Sequence, residues 1–494
     1  MSKIRPEGGV RGRALWARTA GVIVRRLTNI WMVTTMAGCS AVGPDYKTPD
    51  IATPIDWSQR LGRGLSGAEP EADTLVQWWT TLGDSDLSNL IERARTGNVD
   101  LKVAQARIRE ARGRRGIAAS GFYPSFGFSG SASVSRSSEN AGSGERGEFY
   151  RTGFDASWEI DVFGGVRRSV EAAQADVDAS VAEFYGLMVS LLAEVALNYV
   201  DTRTFQTQLQ VVEENLKAQS DTLQLTDWRF AAGLVSKLDV EQAKANLENT
   251  RAQLPRIRSN IEAAKNRLAI LLGVFPGALE AQLAARRPIP EAPLEVVVGV
   301  PAEMLRRRPD VRRAERQLAA QTALIGVATA ELYPKYSLPG TIGLESLTSN
   351  HLFTAGSRAW SLLGSITWTI FQGGAIRQNI EVQSALQEQF LYQYEATILT
   401  ALEEVGTSLS AFAEEQERRD ALLEATQAAQ RAAELSRDQY ASGLIDFQTV
   451  LDAQRSVLTS QEQLTQSRGQ VTANLISLYK VLGGGWTPLT GAPP

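Results

Sequence analysis

Phe122-Tyr123-Pro124-Ser125-Phe126-Gly127-Phe128-Ser129-Gly130-Ser131-Ala132-Ser133-Val134-Ser135 carries its apolar residues at even positions and Tyr, Ser or Gly between them. That two-residue period belongs to a strand with one apolar and one polar face. A second stretch alternates Tyr150, Thr152, Phe154, Ala156, Trp158, Ile160 and Val162 with Arg151, Gly153, Asp155, Ser157, Glu159 and Asp161. The pattern returns in Tyr336, Leu338, Gly340, Ile342 and Leu344, and again in Trp360, Leu362, Gly364, Ile366, Trp368 and Ile370. Each stretch has about ten residues, the length of a tilted strand across the hydrocarbon core of a membrane. Tyr and Trp near the ends suit the interfacial aromatic girdle. A soluble sandwich strand with one wet face has the same alternation. Four of them, in two hairpins each spliced between long helices, favour the membrane.

The hairpins are copies. At a lag of 210 residues, Asp100 matches Asp310, Tyr123-Pro124 matches Tyr333-Pro334 and Glu194-Val195 matches Glu404-Val405. Gly233-Leu234 likewise matches Gly443-Leu444, and Leu272-Gly273 matches Leu482-Gly483. A fixed lag over so long a span marks a tandem duplication, with repeats at about 86–273 and 296–483. Each repeat is expected to begin with one helix (84–118; 301–330) and pass through a hairpin into a very long helix (165–231; 375–441). A last helix (237–272; 446–482) follows a short turn. The spacing of Met188, Leu192, Val195 and Tyr199, and of Ile398, Leu402, Val405 and Leu409, is that of a coiled coil. Helices of this length reach roughly 100 Å, which a globular domain does not need.

Composition narrows the function. Net charge is −4, which argues against nucleic acid as the main partner. His351 and Cys39 are the sole histidine and cysteine, so an internal disulfide is impossible and a His- or Cys-based metal site is not expected. No uninterrupted apolar run of membrane-helix length occurs, which leaves the β-barrel route into a bilayer. No zinc-protease, nucleophile-elbow or phosphate-loop motif is present, so no enzyme is expected.

Residues 1–38 read as a signal peptide. Arg11, Arg13, Arg18, Arg25 and Arg26 precede a modest apolar run, which ends at Ala37-Gly38-Cys39-Ser40. Small residues before a cysteine resemble a bacterial lipobox, so Cys39 is expected to become the acylated first residue of the mature chain. That covalent lipid is the only cofactor-like group expected. Four strands cannot close a membrane barrel by themselves, and an open edge in lipid leaves backbone groups unpaired. The barrel must be shared, with two, three or four copies giving 8, 12 or 16 strands around a polar lumen.

The chain as a whole resembles the outer-membrane factor family, the TolC-like exit ducts, in its lipoprotein subgroup associated with resistance–nodulation–division pumps. The carrying residues are Cys39 through Tyr46, Trp158 through Gly164, Phe371-Gln372-Gly373-Gly374, Phe230 through Leu234 with Asp239-Val240, and Tyr440 through Leu444 with Val450 through Ala453. The resemblance implies a mixed α and β membrane protein: a trimeric 12-stranded outer-membrane β-barrel, four strands per chain, continued by a long periplasmic α-helical barrel. It implies a collar from residues 39–85, 274–295 and the tail 484–494, and no catalytic chemistry. The implied partners are two further copies, a periplasmic adaptor protein and an inner-membrane efflux pump, with drugs or other toxic small molecules as cargo. Gly233, Leu234, Ser236, Gly443 and Leu444 would form the tip that meets the adaptor. Asp452, Tyr440 and Asp239 match positions that constrict the closed pore. Two positions depart from the best-known member: Ile445 stands in place of a gate arginine and Thr449 in place of a second ring aspartate. The same fold could serve type I protein secretion. A periplasmic coiled-coil adaptor would lack the duplicated membrane hairpins.

Overall fold

The computed structural model describes residues 41–51, 65–66, 75–142, 144–293, 296–298 and 301–487; the signal peptide expected at 1–38 and Cys39 lie outside these. Contacts divide the chain into two compact units.

The first unit (Met1–Lys47, Arg112–Ala175 and Leu318–Gln389) holds the sheet. Strands β1 (Ser125–Arg136), β2 (Arg146–Ile160) and β3 (Lys335–Ser346) are consecutive antiparallel neighbours. The fourth position is split into β4 (Arg358–Leu362) and β5 (Ser365–Thr367), both paired with β3. The sequence suggested one continuous strand from Trp360 to Ile370. Pro339 explains the split, since it accepts from the Leu363 N–H at 2.9 Å but has no N–H to return.

The register puts the apolar alternation on one face. Phe128, Phe154, Ile342 and Trp360 form one row across all four positions, and Phe126, Ala156, Gly340 and Leu362 form the next. These side chains are bare: Phe126 is 77% exposed and Trp360 79%. A water-soluble sheet would cover such a face, because burying each ring contributes about 2–3 kcal/mol.

The opposite face is polar and cross-linked. Ser129 donates to Asp155 at 2.5 Å, Arg151 contacts Asp155 at 3.2 Å and Glu345 at 3.6 Å, and Thr341 meets Ser361 at 2.9 Å. Within this face Gly153 pairs directly with Gly343. A Cβ on Gly153 would stand 2.6 Å from the Ile342 carbonyl oxygen and 2.8 Å from the Gly343 Cα. Near the strand ends, the Trp158 indole donates to the Phe122 carbonyl and the Trp368 indole to that of Leu332, both at 3.0 Å. The two bonds are related by the 210-residue lag.

The second unit (Thr48–Ala111, Asp176–Gln317 and Phe390–Pro494) is helical, with a two-stranded parallel pairing of Leu65–Ser66 and Val296–Val297. The long helices run over Gly165–Ala231 and Ala375–Ala441, as their periodicity predicts. The first contains an 18-residue window apolar enough, by composition alone, to cross a membrane. Half of that window is buried within the chain, and Leu192, Val195 and Tyr199 belong to its core.

Other helices are broken where one piece was expected. The entry helix of repeat 1 is two helices, Ser85–Gly97 and Val99–Ser120, separated at Asn98. That of repeat 2 is Pro301–Arg307 and Pro309–Ala330, separated at Arg308. Arg308 precedes a proline, which disfavours helical backbone there. Both break residues reach the end of the last helix of their own repeat. Asn98 donates to the Leu271 carbonyl at 2.9 Å, and Arg308 donates to the Val481 carbonyl at 3.0 Å. Each repeat is thus clasped at equivalent positions by different chemistry. The last helix of repeat 1 is also broken, into Lys237–Arg251 and Gln253–Leu271, because Pro255 has no N–H for the Arg251 carbonyl. Its counterpart Thr465 leaves Phe447–Val481 continuous.

Candidate functional site: the helix-reversing turns

Each long helix ends in the same turn. In the first, the Gly233 N–H bonds to the Phe230 carbonyl and the Leu234 N–H to that of Arg229, at 2.9 and 2.8 Å. In the second, Gly443 bonds to Tyr440 and Leu444 to Gln439, both at 2.9 Å. Both glycines have φ of 75°, the left-handed conformation that closes a helix and resists a side chain. Leu234 and Leu444 project from the turns and are 67% and 75% exposed.

The returning helices begin with a cap whose parts are exchanged. In the first turn Ser236 is the N-cap and Asp239 closes a capping box, its carboxylate accepting from the Ser236 N–H and hydroxyl at 2.9 Å. In the second, Asp446 is the N-cap and accepts from the Thr449 N–H at 3.0 Å and hydroxyl at 2.7 Å. Those bonds hold the Asp446 carboxyl below its usual range. Thr449 therefore has a local role of its own where the resemblance led to expect an aspartate. Asp239 is engaged in its own cap.

Tyr440 lies beneath the second turn, not on an open surface. Its ring is 2% exposed and packs with Phe447, Val450, Leu451 and Ala243, flanked by Ile445 and Val235. Any part it has in closing the tip is through packing. Asp452 is exposed, accepts from the Gln448 amide at 3.0 Å and lies 3.8 Å from Arg455. Ile445 joins the apolar cluster.

Arg229 was not anticipated. Its guanidinium stands 4.5 Å over the Tyr440 ring and donates to the carbonyls of Tyr440 and Ala441, the last of the second long helix. The signal lay in a heptad of buried polar residues. Asn215, Gln219, Thr222 and Thr226 repeat a four-three spacing, in a phase shifted from that of Met188 to Tyr199, and lead to Arg229.

Cys39 lies outside the described residues, but the segment that follows it is held firmly. Arg168, 4% exposed, donates to the carbonyls of Val42 and Gly43 at 3.1 and 3.3 Å and to Asp45 at 2.6 Å. A Cβ on Gly43 would come within 2.4 Å of the Gly326 Cα, so the segment passes in backbone contact. Among the described residues no group of His, Cys, Asp and Glu could hold a metal ion.

Comparison with known proteins accounts for this arrangement. The sequence profile described as outer membrane efflux protein matches twice, at residues 90–274 and 300–484, with the offset of 210 found within the chain. Nodulation protein T of Rhizobium leguminosarum bv. trifolii is 30% identical over 478 residues, spanning 94% of this chain and 99% of that one. A toluene efflux pump outer membrane protein of Pseudomonas putida, TtgC, is 30% identical over 461 residues, spanning 92% and 94%. The solved structure of the outer-membrane channel OprN superposes with a TM-score of 0.85 at 35% identity, covering 90% of this chain and 100% of that one. The bare apolar sheet face, the duplicated helical hairpins and these likenesses agree: the chain belongs to the outer membrane efflux protein family and is an outer-membrane efflux channel.

Proposed function

We propose that three copies of this chain close a twelve-stranded barrel and form the exit duct of a tripartite pump, passing small toxic molecules such as drugs or solvents out of the periplasm. The observation that carries it is the four-position sheet. One face is apolar and bare, the other is an ion-paired polar surface, and both outer strands have an unpaired edge. In lipid each unpaired backbone group costs several kcal/mol, so β1 of one copy must pair with the split fourth strand of the next. The polar faces then line the lumen. The duct carries no reaction of its own. A periplasmic adaptor would meet the tips at Gly233, Leu234, Ser236, Gly443 and Leu444, and an inner-membrane pump would supply the work. Asp452, repeated around the axis, would form a carboxylate ring that favours cations at the narrow end.

Lipidation at Cys39 belongs to the same reading. Two or more acyl chains give stable anchoring, and the Arg168 clasp fixes where the anchored segment leaves the protein. Native mass spectrometry of the protein extracted in detergent tests both points. Three copies are expected, each lacking residues 1–38 and carrying added acyl mass. A monomer or an even-numbered ring refutes the barrel, and an uncut or unmodified N-terminus refutes the anchor.

A further inference from the structure

The helical unit holds a cavity of about 810 Å³. The first long helix walls it from Asp178 to Tyr185, and the second contributes Tyr394 and Ile398. Both pieces of the repeat 2 entry helix, Thr48 to Ile51 and Trp486 complete it. That size suits a small organic molecule. One wall is aromatic and cationic together. The Tyr185 ring stacks on Trp486 at 4.6 Å, and the Arg312 guanidinium lies 5.3 Å from the Trp486 ring centre.

Donors outnumber acceptors at this wall. Arg312 spends its Nε–H on the Arg306 carbonyl at 2.8 Å, which holds the fork in place. Its two terminal nitrogens have no partner among the described residues, and no carboxylate there pairs with Arg306. The hydroxyls of Tyr185 and Tyr394 likewise have no hydrogen-bond partner among the described residues. The nearby acids do not fill the gap. Glu315 pairs with Arg316 at 2.5 Å and accepts from Thr48 at 3.2 Å, and Asp178 has a partner of its own. Asp50 is exposed. Burial pulls the Arg312 guanidinium below its usual value, and Glu315 does not make up the loss. A partly desolvated cation with free donors is stabilised by an anion that reaches it.

Packing of the repeats does not require this cluster. At the equivalent positions repeat 1 has Thr96 for Arg306, Lys102 for Arg312, Ala106 for Arg316 and Pro276 for Trp486. Lys102 turns back to the Gly97 carbonyl of its own helix pair, at 2.9 Å.

We propose that this cavity is a binding site for a flat organic monoanion, an aromatic carboxylate, whose charged end meets the terminal nitrogens of Arg312 and whose ring lies among Tyr394, Ile398 and Trp486. Arg306 adds to the attraction at the mouth, and the Tyr185 and Tyr394 hydroxyls are further donors. Asp50 disfavours a second negative charge on the ligand. Since both long helices and the entry helix line the cavity, an occupant joins three elements of the unit.

The test is calorimetric titration of 1-naphthoate into the full-length protein in lipid nanodiscs, with empty nanodiscs as the reference. Saturable binding, one site per chain, is expected. Arg312→Gln should weaken it roughly tenfold, because a charge-assisted contact is replaced by a neutral one. Arg312→Lys, a point charge without the planar fork, should fall between that variant and the unaltered protein. 1-Naphthamide has the same shape without the charge and should bind the unaltered protein roughly tenfold more weakly than 1-naphthoate. Lys102→Gln, at the equivalent place in repeat 1, should leave the affinity unchanged. Unsaturable heat is partition into lipid and overturns the site, as does equal affinity for naphthoate and naphthamide. An unaltered affinity in Arg312→Gln overturns the role of Arg312 and with it the proposal. Should Arg312→Gln fail to assemble, the lysine variant and the neutral amide decide. The measurement involves neither cargo passage nor the turns, so it stands or falls apart from the reading of the duct.

Discussion

Replacing Gly153 with valine is expected to abolish assembly of the sheet, leaving almost none of the protein as a folded oligomer in the outer membrane. The directly opposed glycines allow β2 and β3 to approach so closely that a Cβ at position 153 would lie 2.6 Å from one backbone atom and 2.8 Å from another. Neither obstacle is a flexible side-chain end, so the strands themselves must move. Separating them breaks the ladder on both sides, and each broken backbone bond in lipid costs several kcal/mol. The same argument applies at Gly343, where a Cβ would meet the Thr152 carbonyl oxygen at 2.3 Å. Quantifying the heat-sensitive oligomer band in isolated outer membranes checks this. Gly130→Val is the control, since its Cβ would have nothing nearer than the Thr152 hydroxyl at 3.8 Å. Normal assembly of Gly153→Val would show that the close pairing is not needed.

The second large effect is expected at Arg308. Its buried guanidinium binds Asp310 at 2.7 Å, Glu404 at 2.6 Å and the Val481 carbonyl, joining the entry helix, the long helix and the last helix of repeat 2. Removing one partner of a buried pair costs about 3–5 kcal/mol, and the partial exposure of both carboxylates brings Arg308→Ala to about 2–3 kcal/mol. The site also makes stability depend on pH. Burial alone would raise the Asp310 carboxyl, but the hydrogen bond and charge of Arg308 together bring it below the usual range. A carboxyl depressed in the folded state contributes stability above its unfolded value, near 4, and loses it as pH falls through the lower folded value. Chemical denaturation between pH 3 and 7 should therefore show a shallower acid loss for Arg308→Ala than for the unaltered protein. Parallel acid profiles would refute the role assigned to the pair. Asn98→Ala, the neutral counterpart in repeat 1, should lower stability by about 1 kcal/mol without changing the profile.

Much of this fold was legible because its signals are periodic and occur twice. The two-residue alternation located the strands, the four-three spacing gave the bounds of both long helices, and the lag of 210 joined them into repeats. What escaped depends on single residues. Pro309 and Pro255 break helices whose apolar pattern continues across them, and Pro339 splits a strand from the neighbouring one. The turns were legible from Gly233 and Gly443. Burial of Tyr440 and the reach of Arg229 were not: the first depends on the returning helix folding back over the ring, the second on packing between residues more than 200 apart. The polar heptad from Asn215 to Arg229 was visible, but a search for apolar spacing passes over it.

The exchanged caps bear on how a partner could tell the two tips apart. Ser236 with Asp239 and Asp446 with Thr449 share two bonds, a backbone N–H to the cap side chain and a hydroxyl to a carboxylate, and both glycines have φ of 75°, so the two turns are close in shape. Their charges differ in place. The carboxylate stands three residues inside the first returning helix and at the very start of the second. Lys237 follows the cap in one tip and the buried Phe447 in the other. In a ring of three chains the outline would repeat six times and the electrostatic pattern only three. A partner gripping by shape could settle in two rotational settings, one tip apart; a partner that also reads charge would have one.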